Sequence, residues 1–491
     1  MKEELSRMNT SGTLVRKRWA RVCLAMAITL CALSASAQVI LPTHWLIVVG
    51  TNSDANLASG CSLRQAVESH NAGANVGDCE RLLRVGSSTN RIKFDAALVP
   101  GQIFLSQQLG ITTNMIIEGP GADIFQISGS TAHRIFNITS AADVVIRGLT
   151  LTQGRTELDG GAIASDGALT VADSRILNSS ADGTSSSGGA IATDGPGLLT
   201  IQSSELSGHS ANWLGGAVHA RGPFIIKNST LSGNQADYGG ALMAVGDGSL
   251  EDTVVADNTT RFGASLQTFN AEVSVLRSSL QNSRLQPERL VEIGFTGSPD
   301  NSIIRVIGSL VYDASEGLGG FAMDDGVEFG NSELILRNST VTGSRGIVVR
   351  NKLELINTTV AVSRGIAVRF NSPNAEGRIA NSIVVSEVDD DCVESNATIV
   401  ENSYNIYTDG NCTSNQDSVL FTDPLLGPLQ DNGGPTLTRM PLPTSPAIDA
   451  GSLFCQTLDQ RYFNRTDGLC DIGAVEVGAT DGLFSDGFEG S

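Results

Sequence analysis

Short aliphatic runs alternate with Gly, Asn, Asp and Ser breaks along most of the chain, and one local pattern keeps returning. It consists of an aliphatic residue, small or polar residues that include Ser or Thr, and a second aliphatic residue. Val171-Ala172-Asp173-Ser174-Arg175-Ile176, Ile226-Lys227-Asn228-Ser229-Thr230-Leu231 and Leu336-Arg337-Asn338-Ser339-Thr340-Val341 are three copies. Anchoring on the fourth position gives Leu149, Ser174, Ser204, Ser229, Thr253, Ser278, Ser309, Ser339, Thr358 and Ser382, at intervals of 19 to 31 residues. About a dozen residues upstream of several copies stands a glycine pair: Gly160-Gly161-Ala162-Ile163, Gly188-Gly189-Ala190-Ile191, Gly215-Gly216-Ala217-Val218 and Gly239-Gly240-Ala241-Leu242.

A sustained period of this size means stacked units, and β-branched alternation bounded by turn residues makes each unit a set of short strands. No copy carries an apolar helical face, which excludes ankyrin, TPR and HEAT arrays. The leucine-rich block and the calcium-binding nonapeptide are absent as well. What remains is an all-β, right-handed parallel β-helix with aliphatic columns inside and Asn and Ser at the bends. The glycine pairs are expected at corners that need φ > 0 or close backbone approach. A β-sandwich would have no reason to keep the period over hundreds of residues.

Composition agrees with an elongated solenoid. The 491 residues include 54 glycines, only 5% are aromatic and 17% charged, and no linker divides the chain into globular domains. Residues 1–37 read as a signal peptide, with basic Arg16, Lys17, Arg18 and Arg21, an apolar run from Leu24 to Leu33, and Ala35-Ser36-Ala37 before Gln38. The run is too short to span a bilayer, and Leu30 before Cys31 argues against lipidation. Removing this leader, with its six Lys/Arg and two Glu, leaves 26 basic and 50 acidic residues, a net charge of −24. Such a surface repels nucleic acid and anionic membranes.

Six cysteines remain in the mature chain, and an even count in an exported protein indicates disulfides. Among the connectivities open to them, proximity favours Cys61–Cys79, Cys392–Cys412 and Cys455–Cys470. Zinc is disfavoured because no C-x-x-C pair or nearby His accompanies them. The coils between 80 and 391 then carry no disulfide, and both ends are clamped.

Taken in order, residues 38–91 form an N-terminal cap. His44–Val49 is a predicted strand, and the stretch from Cys61 to Gly73 a short helix with Leu63, Ala66, Val67 and His70 on one face, Ser62 at its start and Gly73 at its end. Such a helix serves as a lid over the first coil. Cys61-Ser62-Leu63-Arg64-Gln65-Ala66 resembles the CSLREA motif near the mature N-terminus of secreted bacterial β-helix proteins, with Gln65 in place of Glu. Ile117-Glu118-Gly119-Pro120-Gly121-Ala122 and Ile146-Arg147-Gly148-Leu149-Thr150-Leu151-Thr152 resemble the first coils of that group.

Residues 92–391 hold about twelve coils at this period, with a polar loop around Asp324-Asp325 leaving the coil. Residues 392–477 form a C-terminal cap and 478–491 a tail. The ordered set Ala380-Asn381-Ser382-Ile383-Val384, Asp423-Pro424-Leu425-Leu426-Gly427-Pro428-Leu429, Asp431-Asn432-Gly433-Gly434-Pro435-Thr436, Ser445-Pro446-Ala447-Ile448-Asp449-Ala450-Gly451 and Cys470-Asp471-Ile472-Gly473-Ala474-Val475-Glu476 resembles the choice-of-anchor Q domain. At Asp459-Gln460-Arg461-Tyr462 that family has Gly after Arg, which puts the local turn in question. The glycine-pair repeats also resemble those of polymorphic outer-membrane proteins and adhesins, without their C-terminal barrel. The tail from Leu483 to Glu489 resembles a short C-terminal tag of exported bacterial proteins.

The leader and the resemblance imply an exported, extracellular or cell-surface protein, with outer-membrane association within its range; the mature chain shows no transmembrane segment, and a monomer is expected. Catalytic chemistry is not legible. A β-helix lyase needs carboxylates that hold Ca2+ and an Arg or Lys base, and a glycosidase needs paired carboxylates. The acidic runs Asp324-Asp325 and Asp389-Asp390-Asp391 read as solvated loops. Gly208-His209 resembles the Gly-His of polygalacturonases but lacks the following Gly and the flanking motifs. His44, His70, His133, His209 and His219 do not cluster with metal spacing, and His209 and His219 are expected in a loop and on a strand face. No catalytic, cofactor or metal residue is therefore assigned.

The favoured reading is a non-enzymatic binding, adhesion or structural protein whose partner is an extracellular glycan or a neighbouring cell surface. The alternative is a lyase or hydrolase of acidic polysaccharide, for which Ca2+ is the implied cofactor. A groove where two carboxylates and one Arg or Lys converge on adjacent coils would favour that alternative.

Overall fold

The computed structural model describes residues 43–54, 60–85, 88–282, 289–293, 300–313, 321–323, 332–452, 455–465 and 469–479. The leader, the Asp324-Asp325 insertion and the tail from Leu483 to Glu489 lie outside them. Two units are distinguished: residues 1–44 with 84–88, of which few are described, and Trp45–Leu83 with Thr89–Ser491, which carries the fold. Among the described residues no helix is long and apolar enough to cross a membrane.

The larger unit is a right-handed parallel β-helix. Three long parallel sheets of 16, 14 and 12 strands run along it, and a smaller sheet of five strands lies between the second and third. One coil shows the plan: Ala168–Ala172 in the first sheet, Arg175–Leu177 in the second, Ser180–Ala181 in the small one and Ile191–Thr193 in the third. Each strand pairs with its counterpart one coil above and below, so residues 25 to 30 positions apart become neighbours in this coil.

Register turns the sequence repeat into continuous columns. In the first sheet Ile92, Ile117, Ile146, Val171, Ile201, Ile226, Leu250, Val275, Val306, Leu336, Leu355 and Ile379 follow one another without a polar interruption. The second sheet contributes Ile127, Leu151, Ile176, Leu206, Leu231, Val255 and Leu280 in the same way. All are buried in one core. Each such side chain gains roughly 1.5–3 kcal/mol from leaving water, so the core grows by a fixed increment per coil.

The anchor column predicted from the repeat is a hydrogen-bonded ladder. The Ser174 amide donates to Ser204 Oγ at 3.2 Å, Ser204 to Ser229 at 3.1 Å, Thr253 to Ser278 at 3.1 Å, Ser278 to Ser309 at 3.1 Å and Ser309 to Ser339 at 3.2 Å. Each hydroxyl donates in turn to the carbonyl two residues earlier, as Ser204 does to Gln202 at 2.7 Å. The residue before the anchor turns the chain from the first sheet to the second in the left-handed region: Asp173, Ser203, Asn228, Asp252, Asn338, Asn357 and Asn381 have φ between 45° and 50°. Asn and Asp tolerate that conformation best among residues with a side chain, which explains the Asn/Asp-Ser signature.

A second buried ladder follows the second sheet. The Gly154 amide donates to Ser179 Oγ, Ser179 to His209 Nδ1, His209 to Asn234 Oδ1 and Asn234 to Asn258 Oδ1, at 3.0 to 3.2 Å. His209 lies, as expected, in the turn between two strands, but its side chain is an inward rung, with Nε2 on the Ile176 carbonyl at 2.9 Å. Because Nδ1 accepts, Nε2 carries the only proton and the imidazole is neutral. Burial holds its pKa down to about 4.

The predicted caps are present. The helix Leu63–Ala72 is opened by a Ser62/Gln65 capping box and closed by Gly73 in the left-handed conformation. Gln65 accepts from the Ser62 amide at 3.1 Å, the task the Glu of the resembled motif would perform. Arg64 donates to the Gln107 and Gln108 carbonyls and His70 Nε2 to the Arg91 carbonyl, which seats the helix on the first coils. Disulfides join Cys61 to Cys79, Cys392 to Cys412 and Cys455 to Cys470.

At the other end parallel pairing continues past 391, through Gln416–Asp417 and Leu420–Phe421, and Tyr407 extends the core there. The chain then forms an antiparallel pair, Leu426–Gln430 with Thr438–Pro441, and folds back along the outside of the second sheet. Corner asparagines receive it: Asn357 accepts from the Gln456 amide and Asn381 from Ser452, while Thr359 accepts from Ala474 and Thr340 donates to Gln460. Ala447 and Ile472 cover Ala361, Ile383 and Ile406. The C-terminal cap is therefore a strap along a flank. Tyr462 adopts φ +68 where the resembled motif has Gly, and its ring packs over Gly308.

The His209 rung predicts acid sensitivity. Its folded pKa lies below the unfolded value of 6.5, so its contribution is complete above pH 6.5 and is lost as pH falls toward 4. The full loss is about 3 kcal/mol. His209→Asn would place the same residue as in the next two rungs, so chemical denaturation between pH 7 and 4 should show a shallower loss in the variant. An unchanged pH profile would contradict the assignment.

Candidate functional site

The third sheet differs from the others in having a roof. In its three-residue strands the outer residues face the core and the middle one faces out, yet Ala192, His219 and Met243 in that middle column are all buried. The glycine pairs explain this. Gly160, Gly188 and Gly215 have φ of 66° to 73°, and a Cβ on any of them would meet the carbonyl three residues ahead at 2.2–2.3 Å. The second glycines Gly161, Gly189 and Gly216 approach the next coil, where a Cβ would lie 2.1–2.3 Å from a carbonyl oxygen, and Gly240 does so more loosely at 2.8 Å. Both expected reasons for the pairs hold, one at each position. The chain doubles back over its own strand, and the residue before the pair is laid onto the outer face.

Asp159, Ser187, Leu214 and Tyr238 occupy that laid-back position, linked coil to coil by amides of the first glycines onto Ser187, Leu214 and Tyr238 carbonyls at 2.8–2.9 Å. Two chemical features result. The first is aromatic: Trp213 and Tyr238 meet edge to face at 5.4 Å, and Tyr238 and Phe262 lie 5.8 Å apart. Trp213 is 41% and Phe262 54% exposed, and the Arg261 guanidinium lies over the Phe262 ring. Three rings on three consecutive coils thus form a partly solvent-facing strip.

The second feature is polar. Asp159, Asp194 and His219 come from three consecutive coils, and one ligand atom from each lies within 4.8 Å of the others. Asp159 Oδ1 accepts from the Ser187 amide at 2.7 Å, and Arg134 fixes its loop by donating to the Asp159 and Gly160 carbonyls. Asp194 pairs with Arg221 at 3.2 Å. Burial, with the Asp194 charge, lifts the Asp159 pKa against the Ser187 amide and the Arg221 and Arg134 charges. Burial and Arg221 lower that of His219 to about 4, against the pull of Asp194.

Counting histidine against histidine does not find this set, because its carboxylates are 25 and 60 residues from His219 and only the coil register brings them together. Asp391 also departs from expectation. It is buried and accepts from the Ser386, Thr408 and Asp409 amides and the Thr408 hydroxyl, so it organises a turn, while Asp389 and Asp390 remain exposed.

Elsewhere on the coil exterior acids are paired across coils. Arg175 meets Glu205 on the second sheet, Arg277 meets Asp252 at the corner between the first and second sheets, and Arg378 joins Glu354 to Glu401 on the first. A different arrangement occurs where the strap leaves the second sheet. Two cavities of about 500 and 450 Å3 share Glu387 and Arg439; Tyr312 and Arg364 line one and Asp423 the other. Arg439 Nε is committed to the Gly427 carbonyl. No family model matches the chain, and no curated protein matches it either.

The doubled-back loops predict a steric asymmetry among glycines. Gly189→Ala would press a methyl to 2.3 Å from the Gly216 carbonyl, whereas Gly110→Ala meets nothing within 4 Å. The first should lower stability by roughly 1–3 kcal/mol or more and the second only marginally, as read by thermal unfolding.

Proposed function

We propose that this is an exported, non-enzymatic β-helix protein that binds extracellular glycan along the Trp213–Tyr238–Phe262 strip. The observation that carries the reading is the strip itself. Exposed rings repeating at the coil spacing offer flat apolar faces to the C–H faces of successive sugar rings, and Tyr and Trp supply rigid, amphipathic contact area. Arg261 beside Phe262 adds a donor for hydroxyl or carboxylate groups. Export and a cell-surface location are supported by the three disulfides and by the CSLREA-like and choice-of-anchor Q-like motifs. The acidic surface disfavours nucleic acid as the stacking partner.

A second reading, cleavage of acidic polysaccharide, draws on the cavities beneath the strap, where Glu387 and Asp423 approach Arg439. One glycan array run with and without Ca2+, followed by ultraviolet detection of unsaturated uronate products and a reducing-end assay, separates the two. Binding without products is expected. Trp213→Ala and Phe262→Ala should each weaken it by about tenfold or more, the range of an aromatic anchor at an interface. Turnover that Glu387→Gln abolishes would replace the binding reading, and binding indifferent to both ring substitutions would remove the strip from it.

A further inference from the structure

We propose that Asp159, Asp194 and His219 bind one divalent first-row transition metal ion, of the Zn2+ or Mn2+ class, on the roofed face of the third sheet. The inference stands apart from the glycan reading and starts from His219. Its side chain is fully buried, and neither ring nitrogen has a hydrogen-bond partner. A buried polar group left this way costs roughly 1–3 kcal/mol, and its column neighbours Ala192 and Met243 show that the position accepts apolar side chains without change of register. A histidine at this rung is unfavourable for folding unless something occupies its lone pair.

The surrounding groups supply what an ion needs. Asp159 and Asp194 bring carboxylate oxygens from the two preceding coils to within 4.8 Å of the imidazole. Ligands about 2.0–2.2 Å from an ion lie no more than about 4.4 Å apart, so shifts of under about 1 Å close the set. Asp159 is already oriented by the Ser187 amide on one oxygen, as outer hydrogen bonds orient ligands in metal sites. Arg221 touches Asp194 at Oδ1, and the exposure of Asp194 leaves room for water to complete the coordination.

The donor set also selects the ion. Ca2+ takes six to eight oxygens, which two carboxylates beside a buried imidazole do not provide. One neutral nitrogen and two carboxylates suit Zn2+, Mn2+ and their neighbours. The cysteines offer no competing site, since all six of the mature chain are paired in disulfides.

The test uses the mature chain without an affinity tag, stripped by chelator and titrated calorimetrically with Zn2+, Mn2+ and Ca2+, with Co2+ followed by visible absorption. One Zn2+ per chain, a raised thermal midpoint and Co2+ ligand-field bands are expected, and Ca2+ at equal concentration should not displace Zn2+. Asp194→Asn, on an exposed side chain, should weaken Zn2+ binding at least tenfold with an unchanged circular dichroism spectrum, and His219→Gln should remove the Co2+ bands. Absence of saturable one-to-one uptake, uptake unaltered by Asp194→Asn, or displacement by Ca2+ would overturn the proposal.

Discussion

Backbone hydrogen bonding between successive coils is the interaction on which everything else rests. Once a strand pairs in parallel with its counterpart above and below, each position has the same two neighbours in kind, and the side chain it can carry is set by those neighbours. Inside, this selects unbroken aliphatic columns such as those of the first and second sheets, because a polar residue would leave its group unsatisfied between two apolar rungs. Where polar residues do enter, they come as ladders, Ser over Ser and His209 over Asn234 over Asn258, with each side chain accepting from the amide of the preceding coil.

The same constraint produces the corners. A chain that must turn at every coil in a fixed register needs a left-handed residue at a fixed place, and Asn, Asp and Gly fill it. The glycine pairs answer a stricter demand: a turn that doubles back on its own strand and also sits under the next coil. Their outcome reaches beyond packing. By laying Asp159 and Tyr238 onto the outer face of the third sheet, they create the only described place where a buried unpartnered imidazole meets two carboxylates, and beside it a strip of rings.

The ends obey a different logic, since a parallel coil exposes its core at both termini. The N-terminal helix covers the first coils with Leu63, Ala66 and Val67 and anchors through Arg64 and His70. The C-terminal segment covers a flank. It uses the corner asparagines Asn357 and Asn381 as docking points and buries two ion pairs, Asp459 with Arg461 and Glu476 with Arg465. Breaking either pair singly would leave a charge in a dry site, so these pairs fix where the strap lies more than they stabilise it.

The repeat in the sequence was sufficient for the fold, because a β-helix is built from short-period patterns: the anchor serines, the corner asparagines, the glycine pairs and the capped helix from Ser62 to Gly73 all sit where their local chemistry places them. The three cysteine pairings were legible for the same reason, each spanning no more than 20 residues. Tertiary structure alone decided the rest. Whether His219 points outward depends on the alternation of a strand whose edges the sequence does not mark, and the inward direction of His209 on the turn between two strands. The meeting of Asp159, Asp194 and His219, the alignment of Trp213, Tyr238 and Phe262, and the path of the strap all depend on coil register, which brings together residues far apart in the chain.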